Sequence, residues 1–201
     1  MSVDRTRLVP GGWGAALFEA ADGGAISEQT ARIMLIDYLS PALDTTINAA
    51  SAAIELFGLH PDQWIRLREK PQLVPAAINE VIRLESPIRA FSRLVTSEFD
   101  IGGVTVQAGQ RILPLYACAN RDPRRYPEPN RFDISRGSAD HMGFGQGTHM
   151  CAGMHLARME ITAVLQALTA TVSEFVIHKA ERRPHNTLRG LHRLETSLIA
   201  A

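Results

Sequence analysis

One thiol set among glycines is the most chemically pointed feature of this 201-residue chain: the segment Phe144-Gly-Gln-Gly-Thr-His-Met-Cys151-Ala-Gly153. Glycine has no Cβ and accepts positive φ, so Gly145, Gly147 and Gly153 let the backbone bend tightly and approach a flat ligand closely. A helical pattern follows from about Met154, which sets Cys151 at a helix start, where unpaired N–H groups and the helix dipole favour an anion. An anionic sulfur beside a flat cofactor is what a thiolate-ligated haem requires; the sulfur pushes electron density toward the iron and favours O–O cleavage. Two other readings stand beside it. Cys151 could be an inert buried thiol, or His149, Cys151 and His155 could hold zinc, since Cys151 and His155 are four apart on one helical face. The zinc reading lacks a fourth ligand and leaves Phe144 and the glycines without a task. Cys118, inside LPLYACAN, reads as a buried and inert thiol.

Two further groups carry chemistry. Asp44-Thr45-Thr46 places a carboxylate and hydroxyls inside an otherwise apolar helical run, an arrangement suited to handing protons to a reacting oxygen while excluding bulk water. A threonine there can also simply bond back to the preceding turn. Glu80 and Arg83 are three apart in a helix that is otherwise apolar on that side, a spacing that makes them neighbours. Alone on a surface, such a pair would be worth under about 1 kcal/mol.

These residues need elements to position them. Ser27 is a helix N-cap, and residues 26–57 form a long helix broken only by Pro41 and stopped by Gly58. At about 30 residues, ~45 Å at the helical rise, and apolar on several faces, it is expected to run through the interior of a protein. Pro41 removes one backbone donor and kinks the helix near Asp37. A short helix precedes it, roughly Trp13 to Ala21. Prolines bracket the next two, Pro61 to Pro71 and a Glu80/Arg83 helix over 73–86. Residues 91–115 form a small sheet: Phe91–Val95, Phe99–Val106, and a strand at Arg111–Leu115 reached through a Gly109 turn. Residues 120–136 are an ordered, proline-rich loop, 143–153 the cysteine loop, and 154–172 a helix, with weak strand signals at Glu174–His178. The whole is one domain over 1–201, mainly α with a small β part.

The bulk numbers agree with a globular chain: 45% hydrophobic residues, 21% charged, and a formal net charge of zero. That balance gives no electrostatic reason to expect nucleic acid or an anionic membrane as partner. No apolar run approaches the ~20 residues of a membrane span, and MSVDRTRLVPGGWG lacks the apolar stretch of a signal peptide. A cytoplasmic protein is expected.

The motif F-G-x-G-x-H-x-C-x-G at Phe144, Gly145, Gly147, His149, Cys151 and Gly153 resembles the cysteine signature of the cytochromes P-450. The motifs occur in that family's order from about Trp13 to the end, so the chain resembles the C-terminal half of the cytochrome P-450 fold, of soluble bacterial type. The resemblance implies haem b as cofactor and O2 as co-substrate. Cys151 is then the axial ligand to the haem iron, His149 donates to a haem propionate, and Phe144 packs beside the sulfur. Arg93 binds a propionate through its planar fork. Glu80 and Arg83 become a structural pair whose third partner comes from Pro129-Asn-Arg-Phe132, with Arg131 the candidate. PALDTTIN resembles the oxygen-binding helix motif, giving Thr45 a role in oxygen activation and Asp44 one in the proton relay, although Pro41 and Ala42 stand where the motif has small residues, often glycine. Leu39, Ala42, Leu43, Ile88, Ala90 and Phe91 face the substrate on this resemblance; ordinary core packing accounts for them equally well.

The implied activity is hydroxylation of a small organic molecule, with electrons from a ferredoxin or a flavin reductase. Family members are about twice this length. A chain of this extent would leave apolar helix faces open and is expected to self-associate, to misfold, or to be a fragment of a larger product. The second functional reading is therefore a non-catalytic haem-binding remnant; the zinc-binding structural protein is the third.

Overall fold

The computed structural model describes residues 3–137 and 139–201; Met1, Ser2 and Ser138 lie outside the described residues. The element order is α1 (Trp13–Asp22), α2 (Glu28–Leu59), α3 (Pro61–Glu69), α4 (Val74–Glu85), β1 (Arg93–Leu94), β2 (Phe99–Ile101), β3 (Val104–Val106), β4 (Arg111–Ile112), α5 (Tyr116–Ala119), α6 (Met154–Thr171), β5 (Val172–Arg182) and β6 (Leu191–Ala200). Helices dominate and the strands form three two-stranded antiparallel pairs, β1–β4, β2–β3 and β5–β6. Where one domain is expected, two compact units occur, Met1–Asp44 and Thr45–Ala201, and α2 contributes to both.

In the first unit Leu17, Phe18 and Ala31 are buried, with Leu8, Ile26 and Leu35 packed around them. Ser27 Oγ accepts from the Thr30 N–H at 3.0 Å, the side-chain cap that starts α2. The helix then runs unbroken past Pro41 and through Gly58 to Leu59. Gly58 does not stop it; Pro61, opening α3, does. Ile33, Met34, Ile36, Leu39 and Leu43 on this helix are exposed, the open apolar faces expected of a chain of this extent.

The second unit holds the main core. Ala49, Ala52, Ala53, Leu56 and Phe57 recur at 3–4 residue intervals and are buried, so the second half of α2 presents a stripe of small side chains ending in an aromatic ring. That ring lies 5.1 Å from Trp64 of α3 and 5.4 Å, edge-on, from Phe132 of the proline-rich loop. Trp64 meets Phe175 of β5 at 4.7 Å, and its indole N–H donates to the Val172 carbonyl at 3.3 Å. Ile78 and Val81 of α4 and Ile161 and Leu165 of α6 complete the cluster.

The region read as one small sheet over 91–115 contains two separate ladders. β2 and β3 close through Gly102 and Gly103, both at positive φ (58° and 79°), the backbone of a tight primed hairpin turn. β1 pairs with β4 outside it. The weak strand signal near Glu174 belongs to an 11-residue strand paired with β6. Cys118 is exposed on the single-turn helix α5, which corrects its reading as a buried thiol. Among the described residues no helix is long and apolar enough to cross a membrane.

Candidate functional site

The foundation of the site is α4. Pro75 sits in its first turn, and Ser86 closes it in the left-handed region (φ 43°). That strained conformation in a residue with a Cβ is held by Ser86 Oγ donating to the Arg83 carbonyl at 3.0 Å and accepting from Asn120 Nδ2 at 2.9 Å. Arg83 is fully buried, and all five of its N–H donors are used. Nε and Nη2 donate to the two oxygens of Glu80 at 2.7 and 2.8 Å. Nη1 reaches the carbonyls of Asn120 (2.7 Å) and Pro129 (2.8 Å), and Nη2 also meets that of Arg131 at 3.4 Å. The Tyr126 ring lies 5.0 Å from the guanidinium carbon. One buried cation thereby gathers three carbonyls of the 120–136 loop onto α4.

The third charged partner differs from the expected one. Arg136 Nε donates to Glu80 Oε1 at 3.2 Å, whereas the Arg131 side chain turns outward to pair with Glu128 at 3.0 Å. Arg131 contributes only its carbonyl because it is at an exposed bend; Arg136, five residues later, returns to the helix. Both are arginines in one polar loop, and nothing in their sequence neighbourhood separates them.

The cysteine turn is anchored to α4 by residues that sequence reasoning passed over. Asn120 Oδ1 accepts the Met142 N–H at 2.7 Å. His141 is buried; its Nδ1 accepts from the Gly143 N–H at 3.0 Å, and its Nε2 faces Asn79 Oδ1 at 3.4 Å. Asn79 Oδ1 also accepts from Arg158 Nη2 at 3.0 Å, so it is an acceptor and the proton of a neutral His141 belongs on Nε2. Burial, reinforced by the Arg158 charge, lowers His141 to about 4. Arg158 of α6 also lies over the Phe144 ring at 4.9 Å. No local signal marks these residues: Asn79 stands beside Glu80, Asn120 beside Arg121 and His141 beside Asp140.

From Phe144 the chain turns through Gly145 (φ 68°) and Gly147 (φ 67°). A Cβ at Gly145 would also come within 3.2 Å of the His149 carbonyl, so both the dihedral and the space demand glycine there. The Cys151 N–H closes the turn on the Phe144 carbonyl at 2.8 Å. Cys151 is exposed and lies in the loop just before α6, which begins at Met154, where the helical pattern places it, with Gly153 as its N-cap. His149 is exposed in the same turn. Phe144, Gly145, Gly147, His149, Cys151 and Gly153 thus share one loop. Among the described residues no group of three or more His, Cys, Asp or Glu side chains could hold a metal ion, so His149, Cys151 and His155 are not gathered into one.

The remaining expected residues lie elsewhere. Arg93, on β1, donates to the Ser92 carbonyl at 3.0 Å and to the Tyr116 hydroxyl at 3.1 Å. Asp44 and Thr45 are in mid-α2, with Asp44 exposed and Thr45 partly covered. Leu39, Leu43 and Phe91 are exposed, Ala42 and Ile88 partly covered, and Ala90 buried in a bridge to Leu115.

The turn suits a haem on its own terms. It offers one exposed sulfur, a bend made by glycines at positive φ with no Cβ in the way, and no metal-holding cluster of side chains among the described residues.

Residues 15–197 match the family model for cytochrome P450. The chain is 41% identical over 198 residues to cytochrome p450 CYP199A2 of Rhodopseudomonas palustris, which covers 98% of this chain and 48% of that protein. It is 35% identical over 157 residues to linalool 8-monooxygenase of Pseudomonas putida, covering 78% and 39%. The crystal structure of CYP108D1 from Novosphingobium aromaticivorans superposes with a TM-score of 0.75 at 31% identity, over 79% of this chain and 39% of that one. The chain therefore spans about half the length, or less, of the curated relatives that it matches. Sequence and fold agree, and the chain belongs to the cytochrome P450 family, whose members use haem b and O2.

Proposed function

We propose that this chain is the haem-carrying part of a monooxygenase that hydroxylates a small organic substrate in the cytoplasm, using O2 and electrons from a ferredoxin or a flavin reductase. The observation that carries the reading is the Cys151 turn: an exposed sulfur in a glycine bend closed on the Phe144 carbonyl. When bound, the haem supplies the oxygen chemistry, and a thiolate ligand favours O–O cleavage. The chain's own residues do the rest. Cys151 would hold the haem iron through its sulfur, and Phe144, whose ring lies under Arg158, would pack beside it. His149 and Arg93 would bind the haem propionates through their N–H donors. Asp44 and Thr45 hold and pass protons from the middle of α2. Glu80, Arg83 and Arg136 fix the loop that leads into the cysteine turn, and the apolar side chains of Ile88, Ala90 and Phe91 receive the substrate.

Reconstitution with haem and the reduced CO difference spectrum test this. A thiolate-type Soret band in the wild type, absent from Cys151→Ser, is expected; an unchanged spectrum in the variant refutes the ligand assignment. A second reading, a non-catalytic haem-binding remnant, is favoured by the exposed apolar residues of α2 (Ile33, Met34, Ile36, Leu39, Leu43 and Ile47). The same row supports self-association, which sedimentation reads directly. Peroxide-driven turnover separates enzyme from remnant without a redox partner.

A further inference from the structure

The loop joining β5 to β6 is fastened far more heavily than a surface connection requires. Arg189 donates to both oxygens of Glu85, from Nε at 2.9 Å and from Nη2 at 3.2 Å. Arg182 reaches the same carboxylate at 2.9 Å and also pairs with Glu55 of α2. Glu85 and Glu55 are both buried, while the two arginines keep about a third of their side-chain surface exposed (35% and 34%). Two carboxylates are thus withdrawn from water with an arginine shared between them, a costly arrangement that persists only where geometry repays it. Backbone contacts lock the same place. The Arg89 N–H donates to the Thr187 carbonyl at 2.8 Å and the Arg189 N–H to the Pro87 carbonyl at 2.9 Å, bridging Ile88 to Leu188. On the other side Gly190 lies so close to α2 that a Cβ would fall 2.1 Å from Asn48 Oδ1. The loop is folded on itself as well: His185 Nδ1 accepts from the Thr187 and Leu188 N–H groups at 3.1 and 2.9 Å.

We infer that Glu85, Arg189, Arg182 and Glu55 form a latch that holds residues 185–190 against residues 87–90 and so fixes Ile88, making Glu85 and Arg189 positioning residues for substrate selectivity. The latch stands on its own geometry; its link to selectivity rests on the proposed substrate-facing role of Ile88. Glu85 is the pivot because it ends α4, the helix that carries Arg83, so the loop is registered to the same element as the cysteine turn.

Hydrogen exchange on the full chain tests the latch without any cofactor. In Arg189→Met and Glu85→Gln the amides of Arg89 and Arg189 should exchange about tenfold faster, while the Val172–Ala200 end of the hairpin and the amides of α4 keep their rates. Arg189→Lys, which retains charge but loses the two-pronged contact, should fall between. Uniform acceleration across the chain, or none at those two amides, overturns the latch. In haem-loaded protein, affinities for imidazole and for 4-phenylimidazole, read from the Soret shift, test selectivity. Their ratio should change about threefold or more in Arg189→Met, since only the bulky ligand probes the wall. An unchanged ratio overturns the selectivity role. Failure to take up haem refutes the haem reading, and the exchange experiment then decides the latch alone.

Discussion

Arg83 closes a two-pronged contact on Glu80, at 2.7 and 2.8 Å, with both side chains sealed from solvent. At three residues' separation this is the pair that a helix surface would offer to water for almost nothing. Burial changes its meaning, because each charge now depends on the other and three loop carbonyls depend on Arg83.

Arg83→Met is therefore expected to cost about 3–5 kcal/mol, the range for stranding one member of a buried pair. Arg83→Lys should recover little of it, since an ammonium cannot serve two carboxylate oxygens and three carbonyls from one plane. Urea unfolding followed by circular dichroism measures both. A loss below about 1 kcal/mol in Arg83→Met would mean that the pair behaves as a surface one.

Arg136 and Arg131 separate in the same assay. Arg136→Ala removes a mostly buried charge-assisted bond to Glu80 and should cost about 1.5–3 kcal/mol. Arg131→Ala breaks an exposed pair with Glu128 and should stay within about 0.5 kcal/mol of wild type. The reverse order would restore Arg131 as the third partner.

His141 gives the fold an acid-sensitive point. Its folded value, about 4, lies below the ordinary 6.5, so between these the unfolded chain binds the proton and the folded one does not. Stability then rises with pH through that window and is lost as pH falls from about 6.5 toward 4, by up to roughly 3 kcal/mol from this group. Urea midpoints at pH 7 and pH 5 should therefore differ more in wild type than in His141→Gln. Equal pH slopes would show that His141 is not held neutral.

Local chemistry and three-dimensional pairing were unequally visible in the sequence. The glycines around Cys151 and the spacing of Glu80 and Arg83 are short-range signals, and the elements that bear them lie where periodicity and proline placement put them. Asn79, Asn120, His141 and Arg158 act only because α4, α5 and α6 converge; each is an unremarkable polar residue in its own neighbourhood. The same limit hid Arg136, which differs from Arg131 only in which way the loop turns. The first half of α2 shows the matching limit, since an apolar sequence records what a helix can bury and not what covers it.

The fit between the cysteine turn and α4 is tightest at Gly143, where an added Cβ would lie 2.4 Å from Ile82 Cγ2. Ile82 is buried in the main core and has no open side into which to retreat. Gly143→Ala must then either distort Ile82 or lift the start of the turn from α4, which breaks the Gly143 N–H bond to His141. Overpacking of this kind costs about 1–3 kcal/mol. Ile82→Ala removes the offending methyl and opens a cavity with its own cost of about 2–5 kcal/mol, so the informative quantity is the coupling between the two. In the Ile82→Ala background Gly143→Ala should lose most of its cost, keeping only what its 3.0 Å approach to His141 Nδ1 imposes, which gives a favourable coupling of about 1 kcal/mol in a double-mutant cycle. Additive losses would mean that the turn is not seated on Ile82, and that α4 holds Cys151 through its polar contacts alone.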